Sequence, residues 1–367
     1  MKVGLLIRRV LFIGIVLLGC AVEQAEAQAL DLVLPTSNHA LFEDDGPGFY
    51  QYTDRYVNRK RSRSWQGGRY GFVRNVRKTP YGTVYSRFHE GVDIKPLYRD
   101  RRNEPLDTVR TIDAGEVIYV NTVEKHSNYG KYVVVEHWWG GSPFYSLYAH
   151  LNAVHVHAGQ QVAQGDPLGR IGYTGRGINR RRAHVHFEIN LLLNRVFQPW
   201  YDDYFEPDDP NYHGIYSGLN LAGLDVSGLY LALREDSTLT IQEFLQDQPA
   251  FFKVVVPNQG MLDVLWRYPW LSPSLNAWTM LYRPVEPMPS WEITFARSGL
   301  PLLVEPSDRE VTEPVVEIME RSPISYRYLT NGLVTGAGDS YALSKNGLRY
   351  IDLLTRTYPP RKPQVDR

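Results

Sequence analysis

The sequence predicts a mainly β protein, in which an antiparallel β-domain is followed by a smaller domain of mixed α/β or β structure. Between residues 81 and 200, short apolar runs such as residues 133–135 are separated by closely spaced glycine turns. Helical periodicity does not extend over a useful length in that part of the chain. After residue 200, many prolines interrupt the apolar runs, which predicts short elements.

Composition and charge narrow the classes of partner. The chain has 367 residues, enough for two domains, and 43% hydrophobic residues, as in ordinary globular proteins. Forty basic residues balance 40 acidic ones. We therefore expect no nucleic-acid partner and no general attraction to an anionic membrane, although local charge can still steer a substrate.

Residues 1–29 are predicted to be a signal peptide. Lys2, Arg8 and Arg9 precede an apolar run over residues 10–18, which is too short to span a bilayer comfortably. Ala25 and Ala27 then form a small-x-small cleavage site. The sequence therefore predicts an exported protein of the periplasm or cell envelope, or a secreted one.

The only cysteine, Cys20, leaves two processing routes open. Its context resembles a bacterial lipobox, and lipidation would anchor the mature protein to a membrane. Cleavage after Ala27 would instead give a soluble chain without cysteine. Either route excludes a disulfide within the mature chain. Any cross-link that stabilises the fold must therefore be something else, such as a bound metal.

Residues 30–80 are polar and aromatic and predict an extended leader, which includes the basic run 59–63. Two interpretations remain open for it. The leader could pack on the following domain as structural support. It could also lie over an active-site groove, as inhibitory segments do.

Residues 81–200 form the predicted β-domain, and residues 201–367 form the predicted C-terminal domain of unknown role. The second region opens with an acidic, proline-bearing stretch over residues 202–210. Thr240 and Glu243 have the spacing of a capping box. Leu348, Ile351 and Leu354 have the spacing of one helical face. Wall binding, partner binding and structural support all remain open for this region.

Three short motifs in the β-domain carry residues suited to metal chemistry. His89 and Asp93 are separated by an even spacing, which in an extended segment places both on one face, and Gly91 between them permits close backbone contact. His150 ends an apolar run. His184, His186 and Glu188 alternate with apolar residues and are therefore predicted to share one face of a strand.

These residue types fit a catalytic zinc site. Such a site takes three protein ligands from His, Asp or Glu and leaves a fourth position for water. His89, Asp93 and one histidine of the 184/186 pair meet this requirement, with one zinc per chain. His150 and the other histidine of the pair would then be free to move protons or stabilise an oxyanion.

The other histidines of the chain do not belong to a motif with further candidate metal ligands. His155 and His157 form a second His-x-His pair, but no carboxylate lies nearby in a comparable frame, so we expect both to face solvent. His126, His137 and His213 are expected to be structural.

In their order and residue content, the three motifs resemble those of the lysostaphin/LytM-type zinc endopeptidases. The resemblance covers residues 87–190 and includes a glycine turn series at Gly159, Gly165 and Gly169 that is similar to a family signature. It rests on residues 89–93, 148–151 and 184–188.

The resemblance implies a duplicated hybrid motif with two antiparallel sheets and a groove over the metal. It implies that His89, Asp93 and His186 are the zinc ligands. It also implies that His150 and His184 are the catalytic histidines, which assist attack of water on a peptide bond of peptidoglycan. Glu188 could support a ligand histidine, or could be an ordinary exposed strand residue.

The chain departs from the family pattern just before the His-x-His strand. Four arginines, at positions 176, 180, 181 and 182, stand where small residues are common. They could bind carboxylates of stem peptides, or they could belong to a solvated loop. A non-catalytic relative that activates wall amidases, a wall- or sugar-binding module, and a latent enzyme blocked by its leader are the alternative functions.

Overall fold

A computed structural model describes residues 29–57, 59–275 and 288–357. Most of the predicted signal peptide, with Cys20 and the cleavage site at Ala27, lies outside the described residues. Within the described ranges, none of the helices is both long and apolar enough to cross a membrane.

The described β-strands are distributed along most of the chain. They are β1 (Thr53–Val57), β2 (Lys60–Ser64), β3 (Gly71–Thr79), β4 (Gly82–His89), β5 (Val92–Ile94), β6 (Thr108–Arg110), β7 (Gly115–Asn121), β8 (Tyr132–Trp139), β9 (Ser142–Ala149), β10 (Ala153–Val154), β11 (Gln160–Val162), β12 (Pro167–Arg170), β13 (Val185–Leu192), β14 (Leu221–Gly223), β15 (Ala250–Pro257), β16 (Ser290–Ala296), β17 (Pro301–Ser307), β18 (Val315–Ile318), β19 (Val334–Ala337) and β20 (Ser340–Leu343).

The described helices are short. The α-helices are α1 (Gly46–Phe49), α2 (Phe197–Tyr204), α3 (Val226–Glu235), α4 (Ile241–Gln246), α5 (Asp263–Arg267), α6 (Tyr326–Leu329) and α7 (Lys345–Thr355). Single 3-10 turns cover Ala40–Glu43, Trp65–Gly68, Glu124–His126, Arg180–Arg182, Gly214–Tyr216, Gly218–Asn220 and Pro269–Leu271.

The middle of the chain is built from two antiparallel sheets. The larger has the order β11-β7-β8-β9-β13-β14, and β5 also pairs with β13. The smaller has the order β10-β12-β6. The predicted mainly β, antiparallel fold class is therefore confirmed.

Both faces of the larger sheet are buried, which explains its continuous apolar runs. Val133 and Val135 pack in the main core, whereas Val134 and Leu147 pack in a second cluster on the opposite face. The neighbouring strand β13 is buried along its whole length. The side chains that β13 presents are therefore shielded from bulk water.

The predicted extended leader contains three strands in the structure, β1, β2 and β3. β1 pairs with β2, and β3 pairs with β4. The turn between β3 and β4 contains Gly82, whose φ of 124° favours glycine over other residues. Because β4 ends at His89, this hairpin connects the leader directly to the first candidate metal ligand.

The C-terminal region contains a four-stranded antiparallel sheet, β17-β16-β15-β18, with short helices around it. The predicted capping box forms at the start of α4, where Thr240 and Glu243 bond each other's backbone amides. In the terminal helix α7, Ile351 and Leu354 are buried as predicted. Leu348 is 46% exposed, so the buried face of α7 is narrower than the spacing predicted.

One hydrophobic core runs from the leader to the terminal helix, with buried members from Leu30 to Leu354. Polar contacts join the same parts of the chain. Asn194 donates to the carbonyls of Leu353 and Arg356, both at 2.7 Å, and Arg267 donates to the carbonyl of Leu192 at 2.8 Å. The C-terminal region therefore packs against the end of the strand that carries the His-x-His pair.

Candidate metal centre and catalytic site

Three strands bring the candidate metal ligands together. His89 ends β4, Asp93 lies in β5, and His186 lies directly opposite Asp93 in the β5–β13 register. Gly91 permits this approach, because a Cβ there would lie 2.3 Å from the carbonyl oxygen of Phe187. The close backbone contact expected at Gly91 is therefore confirmed.

The three candidate ligand side chains are all buried. The atoms His89 Nε2 and His186 Nδ1 are 3.0 Å apart. Asp93 Oδ1 lies 3.1 Å from His89 Nε2 and 3.0 Å from His186 Nδ1. A tetrahedral zinc with bonds of about 2.0–2.1 Å holds its ligands roughly 3.3 Å apart, so this donor triangle fits zinc closely.

Each candidate ligand histidine is oriented by a hydrogen bond from its other ring nitrogen. His89 Nδ1 donates to the carbonyl of Arg69 at 2.7 Å, because a carbonyl can only accept. His186 Nε2 lies 2.6 Å from the carboxylate of Glu188 and donates to it. Both rings therefore turn their remaining nitrogen toward Asp93, and this is the nitrogen that would bind a metal after losing its proton.

Glu188 is 1% exposed, so it supports a histidine and is not an exposed strand residue. Beside His186, it accepts from the hydroxyl of Tyr129 at 2.8 Å and from the amide of Asn190 at 2.9 Å. Burial alone would raise the pKa of Glu188, but the hydrogen bonds from His186, Tyr129 and Asn190 lower it. The carboxylate therefore stays ionised and fixes the His186 ring.

His150 and His184 stand beside the triangle. His184 Nε2 lies 3.3 Å from Asp93 Oδ1, and the rings of His150 and His184 are in edge contact with centroids 4.8 Å apart. His150 Nδ1 donates to the carbonyl of Thr174 at 2.9 Å, and His184 Nδ1 donates to that of Arg182 at 2.5 Å. Both rings therefore have Nδ1 committed to a carbonyl and leave Nε2 for proton transfer.

The backbone at His150 is unusual. Its φ of 62° is in the left-handed region, at the point where β9 has just ended. A non-glycine residue in that region is strained by about 1–2 kcal/mol. Such strain is common at functional sites, where it aims a side chain that the regular strand would place elsewhere.

The site perturbs the pKa values of its members. Burial lowers the pKa of His89 to about 4. Burial acts in the same direction on His186, but hydrogen bonds to Asp93 and Glu188 outweigh it and raise its pKa to about 9. Burial, followed by the neighbouring His184 and His186, lowers the pKa of His150 well below its ordinary value. His150 is therefore neutral near pH 7 and available as a base.

Arg74 is a member of the site that the sequence analysis did not identify. Its Nη2 lies 2.5 Å from Asp93 Oδ2 and 3.0 Å from His89 Nε2, and its Nε donates to the carbonyl of Gly67 at 2.8 Å. Burial would raise the pKa of Asp93, but His184, His89 and Arg74 hold it well below the usual range. Arg74 is the permanently charged group among them.

The remaining histidines lie away from the centre. His155 and His157 are exposed, as expected. His137 is buried and contacts the carbonyl of Ala114 and the hydroxyl of Ser146, which is a structural role. Within the described ranges, the triad of His89, Asp93 and His186 is the group of side chains close enough to hold a metal.

The loop arginines differ from one another. Arg180 forms an ion pair with Glu104 at 2.7 Å, and Arg176 and Arg181 are exposed. Arg182 is half-buried and lies near Arg74 in a groove beside the metal centre. The exposed arginines fit the predicted solvated loop, whereas carboxylate binding stays a prediction, for which Arg182 is placed in the groove.

Comparison with known proteins shows that this part of the chain is similar to one peptidase family. Residues 87–198 match the model for peptidase family M23, and they contain all five candidate site residues. This segment is therefore similar to M23 peptidase domains, and the expected lysostaphin-type fold class is confirmed.

A curated relative covers a similar part of the chain. The cell division protein DipM of Caulobacter vibrioides is 34% identical over 96 residues, which are 26% of this chain. The aligned segment spans only 14% of that relative's length.

Solved structures with similarity to the chain include three peptidases. A putative M23 peptidase from Pseudomonas aeruginosa is 32% identical, covering 28% of this chain and 37% of that chain with a TM-score of 0.22. A zinc-containing peptidase from Vibrio cholerae is 28% identical, covering 38% and 36% with a TM-score of 0.23. The catalytic domain of lysostaphin from Staphylococcus simulans is 20% identical, covering 42% and 85% with a TM-score of 0.25. Because these TM-scores are low, the family assignment rests on the sequence match.

Proposed function

We propose that the protein is a zinc metalloendopeptidase that hydrolyses peptide bonds in the stem peptides or cross-bridges of peptidoglycan. The observation that carries this proposal is the donor triangle of His89, Asp93 and His186, whose atoms are 3.0–3.1 Å apart beside two further histidines. A structural histidine cluster would not need two additional rings beside the triangle, each with its Nδ1 held by a backbone carbonyl. The proposed cofactor is one zinc ion per chain.

In this proposal His89, Asp93 and His186 hold the metal. When bound, zinc polarises the scissile carbonyl and lowers the pKa of water. His150 accepts the proton of the attacking water at Nε2, because its Nδ1–H is already committed to Thr174. His150 then passes this proton to the nitrogen of the leaving amine, and His184, whose Nδ1 is held by the Arg182 carbonyl, would stabilise the developing oxyanion when its Nε2 carries a proton.

Other residues of the chain orient these groups. Glu188 holds the His186 ring, and the carbonyl of Arg69 holds the His89 ring. The carbonyls of Thr174 and Arg182 fix the tautomers of His150 and His184. The buried surroundings exclude bulk water and so strengthen each of these interactions.

The proposed location is the cell envelope. Peptidoglycan lies outside the cytoplasm, and the predicted signal peptide at residues 1–29 would direct export. The substrate and the signal therefore agree. The alternative on the same fold is a non-catalytic wall-binding or amidase-activating protein.

Zinc content and release of soluble muropeptides from purified sacculi test the proposal together. We expect one zinc per chain and release by the parent protein. The His184→Ala variant should retain zinc and lose release. His157→Ala removes an exposed histidine of the second His-x-His pair and serves as the matched control, with release unchanged.

The possible outcomes separate the alternatives. Stoichiometric zinc without release from any sacculus type would contradict the endopeptidase and favour the binding or activating protein. Absence of both zinc and release would exclude a metalloenzyme. Equal loss of release in His157→Ala and His184→Ala would show that the loss does not come from the catalytic step.

A further inference from the structure

We propose that a basic groove beside the metal centre binds carboxylates of the stem peptide, which deepens the proposed function and rests on it. The groove has a volume of about 510 Å³. The charged residues that line it, here called the basic groove, are Asp54, Arg55, Arg74, Arg77, Arg87 and Arg182.

The two leader hairpins and the loop before β13 build this groove. β1 contributes Arg55, and the β3–β4 hairpin contributes Arg74 and Arg87, which lie opposite each other in the strand register. The loop before β13 contributes Arg182. Side chains from distant parts of the sequence therefore converge on one concave surface.

The positive charge of the groove is largely uncompensated. Asp54, its carboxylate, already accepts two hydrogen bonds at 2.9 Å from Arg61. Arg77 and Arg87 have no hydrogen-bond or ion-pair partner in the part of the chain that the structure describes. The groove therefore presents guanidinium groups that are free to bind an anion.

Two further arginines are held in place without a carboxylate partner. Arg55 stacks on the ring of Tyr85, with 4.7 Å between the guanidinium carbon and the ring centroid, and donates to its hydroxyl at 3.2 Å. The Nε of Arg182 is buried and has no hydrogen-bond partner within the described ranges. A buried donor without a partner is unfavourable, and a bound anion would relieve this cost.

The groove is continuous with the metal centre through Arg74. This residue lines the groove and also contacts Asp93 and His89. An extended peptide bound along the groove would therefore pass beside the candidate metal ligands His89 and Asp93. This continuity favours a peptide substrate over an unrelated anion.

The ligand chemistry follows from the side chains. Guanidinium groups bind carboxylates through paired, charge-assisted hydrogen bonds. Stem peptides carry several carboxylates, and several arginines spread along one groove suit a chain with more than one of them. A free phosphate ion would satisfy one arginine pair without using the length of the groove.

Binding measurements with a stem tetrapeptide test the proposal independently of hydrolysis. The probes are the peptide with free carboxylates, the same peptide with its carboxylates amidated, and inorganic phosphate. The zinc-loaded His184→Ala protein is compared with versions that also carry Arg77→Gln and Arg87→Gln. The matched control carries Arg101→Gln and Arg170→Gln, which remove the same charge at two exposed positions outside the groove.

We expect the free-carboxylate peptide to bind about tenfold more tightly than the amidated one, as one or two charge-assisted hydrogen bonds would give. The groove substitutions should remove this difference, and the control substitutions should preserve it. Equal affinity for the two peptides, or an equal loss in the control, would overturn the proposal. Phosphate competing as strongly as the peptide would also overturn it, because the site would then be a general anion site.

Failure of the groove and failure of the enzyme are distinguishable. If the parent protein releases muropeptides but does not discriminate the two peptides, the groove proposal fails and the endopeptidase stands. If discrimination is present and release is absent, the groove binds acidic peptides while the proposed hydrolysis is wrong.

Discussion

At the residue scale, each site histidine is oriented by a hydrogen bond from the ring nitrogen that does not face the metal centre. A carbonyl or a carboxylate holds that nitrogen in His89, His150, His184 and His186. Those acceptors fix the tautomers before any metal or substrate arrives. The site is therefore preorganised by its own chain, as effective catalysis requires.

Arg74 offers the most specific residue-scale prediction. Its guanidinium lies within hydrogen-bond reach of both His89 and Asp93, so its positive charge opposes a metal cation at the same ligands. Arg74→Ala should increase zinc affinity by at least about tenfold, or about 1.4 kcal/mol. Competition with a calibrated chelator measures this affinity.

Arg74→Lys is the control for charge, and it should keep zinc affinity near that of the parent. Weaker zinc binding in Arg74→Ala would contradict the prediction. It would mean that Arg74 assists the metal by orienting Asp93 and does not compete with it.

At the element scale, regular alternation accounts for the shared strand face that the sequence predicted for the His-x-His pair and Glu188. His184, His186 and Glu188 occupy alternate positions, and each of them lies beside Asp93 or beside its neighbour His186. Period-two spacing along a buried strand is a local property, so one sequence was sufficient to predict it.

Alternation also explains why Arg74 was missed. The pairing of β3 with β4 shifts register between Phe72 and Arg74, so Phe72 lies opposite Phe88 whereas Arg74 lies opposite Arg87. This bulge moves Arg74 to the face of the hairpin that carries His89. A regular strand would instead place Arg74 on the opposite face, with Phe72. A bulge depends on the partner strand and cannot be read from spacing alone.

A substitution at Gly91 tests whether the metal centre requires the close approach of β5 to β13. Gly91→Ala would place a Cβ 2.3 Å from the Phe187 carbonyl, so the strands must separate. We expect a loss of about 1–3 kcal/mol in the free energy of unfolding, together with weaker zinc binding. Chemical denaturation and zinc titration measure these two quantities.

Gly159→Ala is the comparison, since Gly159 has a φ of 84° with open space around it. It should destabilise the fold through backbone strain and leave zinc affinity unchanged. Unchanged zinc affinity in Gly91→Ala would contradict the role given to the close approach.

The burial of His137 leads to a prediction of how the free energy of unfolding depends on pH. Burial lowers the pKa of this β8 histidine, so the unfolded chain binds its proton more readily than the folded one. Its contribution to stability is therefore complete above its unfolded pKa of about 6.5 and is lost as the pH falls below that value. In His137→Gln the free energy of unfolding should fall less steeply between about pH 6.5 and 5.

Denaturation of the zinc-saturated parent and variant across this pH range measures the difference. Loss of the stacking between His137 and Trp139 would lower stability equally at every pH and so would not affect the comparison. Parallel pH profiles would contradict the assignment of a buried neutral ring.

At the scale of the whole molecule, the C-terminal region is structurally continuous with the segment that carries the candidate metal centre. Asp263 accepts from both Arg195 and Arg267, and Arg267 donates to the backbone at the end of β13. This buried cluster and the shared core favour structural support among the three roles considered for residues 201–367. The division of the chain at residues 80 and 200 stays a prediction.

The sequence could not predict this continuity. Proline-rich spacing indicated short elements correctly, but it carries no information about which surface those elements cover. The contacts that join Asn194 to α7, or Tyr268 to Leu192, connect residues far apart in the chain. Only local periodicity and short motifs were available from one sequence.

Asp263→Ala tests the coupling between the two parts. The change leaves Arg267 buried without its carboxylate, which should cost about 3–5 kcal/mol. During denaturation of this variant, zinc loss and exposure of the tryptophans should occur together, at a lower denaturant concentration than in the parent protein. Asp339→Ala, which breaks an exposed ion pair with Arg321, should change stability by less than about 0.5 kcal/mol.

If Asp263→Ala lowers the denaturant concentration at which the C-terminal region unfolds but does not change that at which zinc is lost, this coupling is contradicted. Such a result would show that the two parts unfold as separate units despite their shared core.

The most direct test of the central claim is hydrolysis of a defined, cross-linked muropeptide dimer by the zinc-loaded protein in ¹⁸O-labelled water. Mass spectrometry of the products identifies both the bond broken and the origin of the new oxygen. We predict two peptide products, with one ¹⁸O atom in the newly formed carboxyl group. An intact dimer, or release of the peptide from its sugar instead, would contradict the endopeptidase.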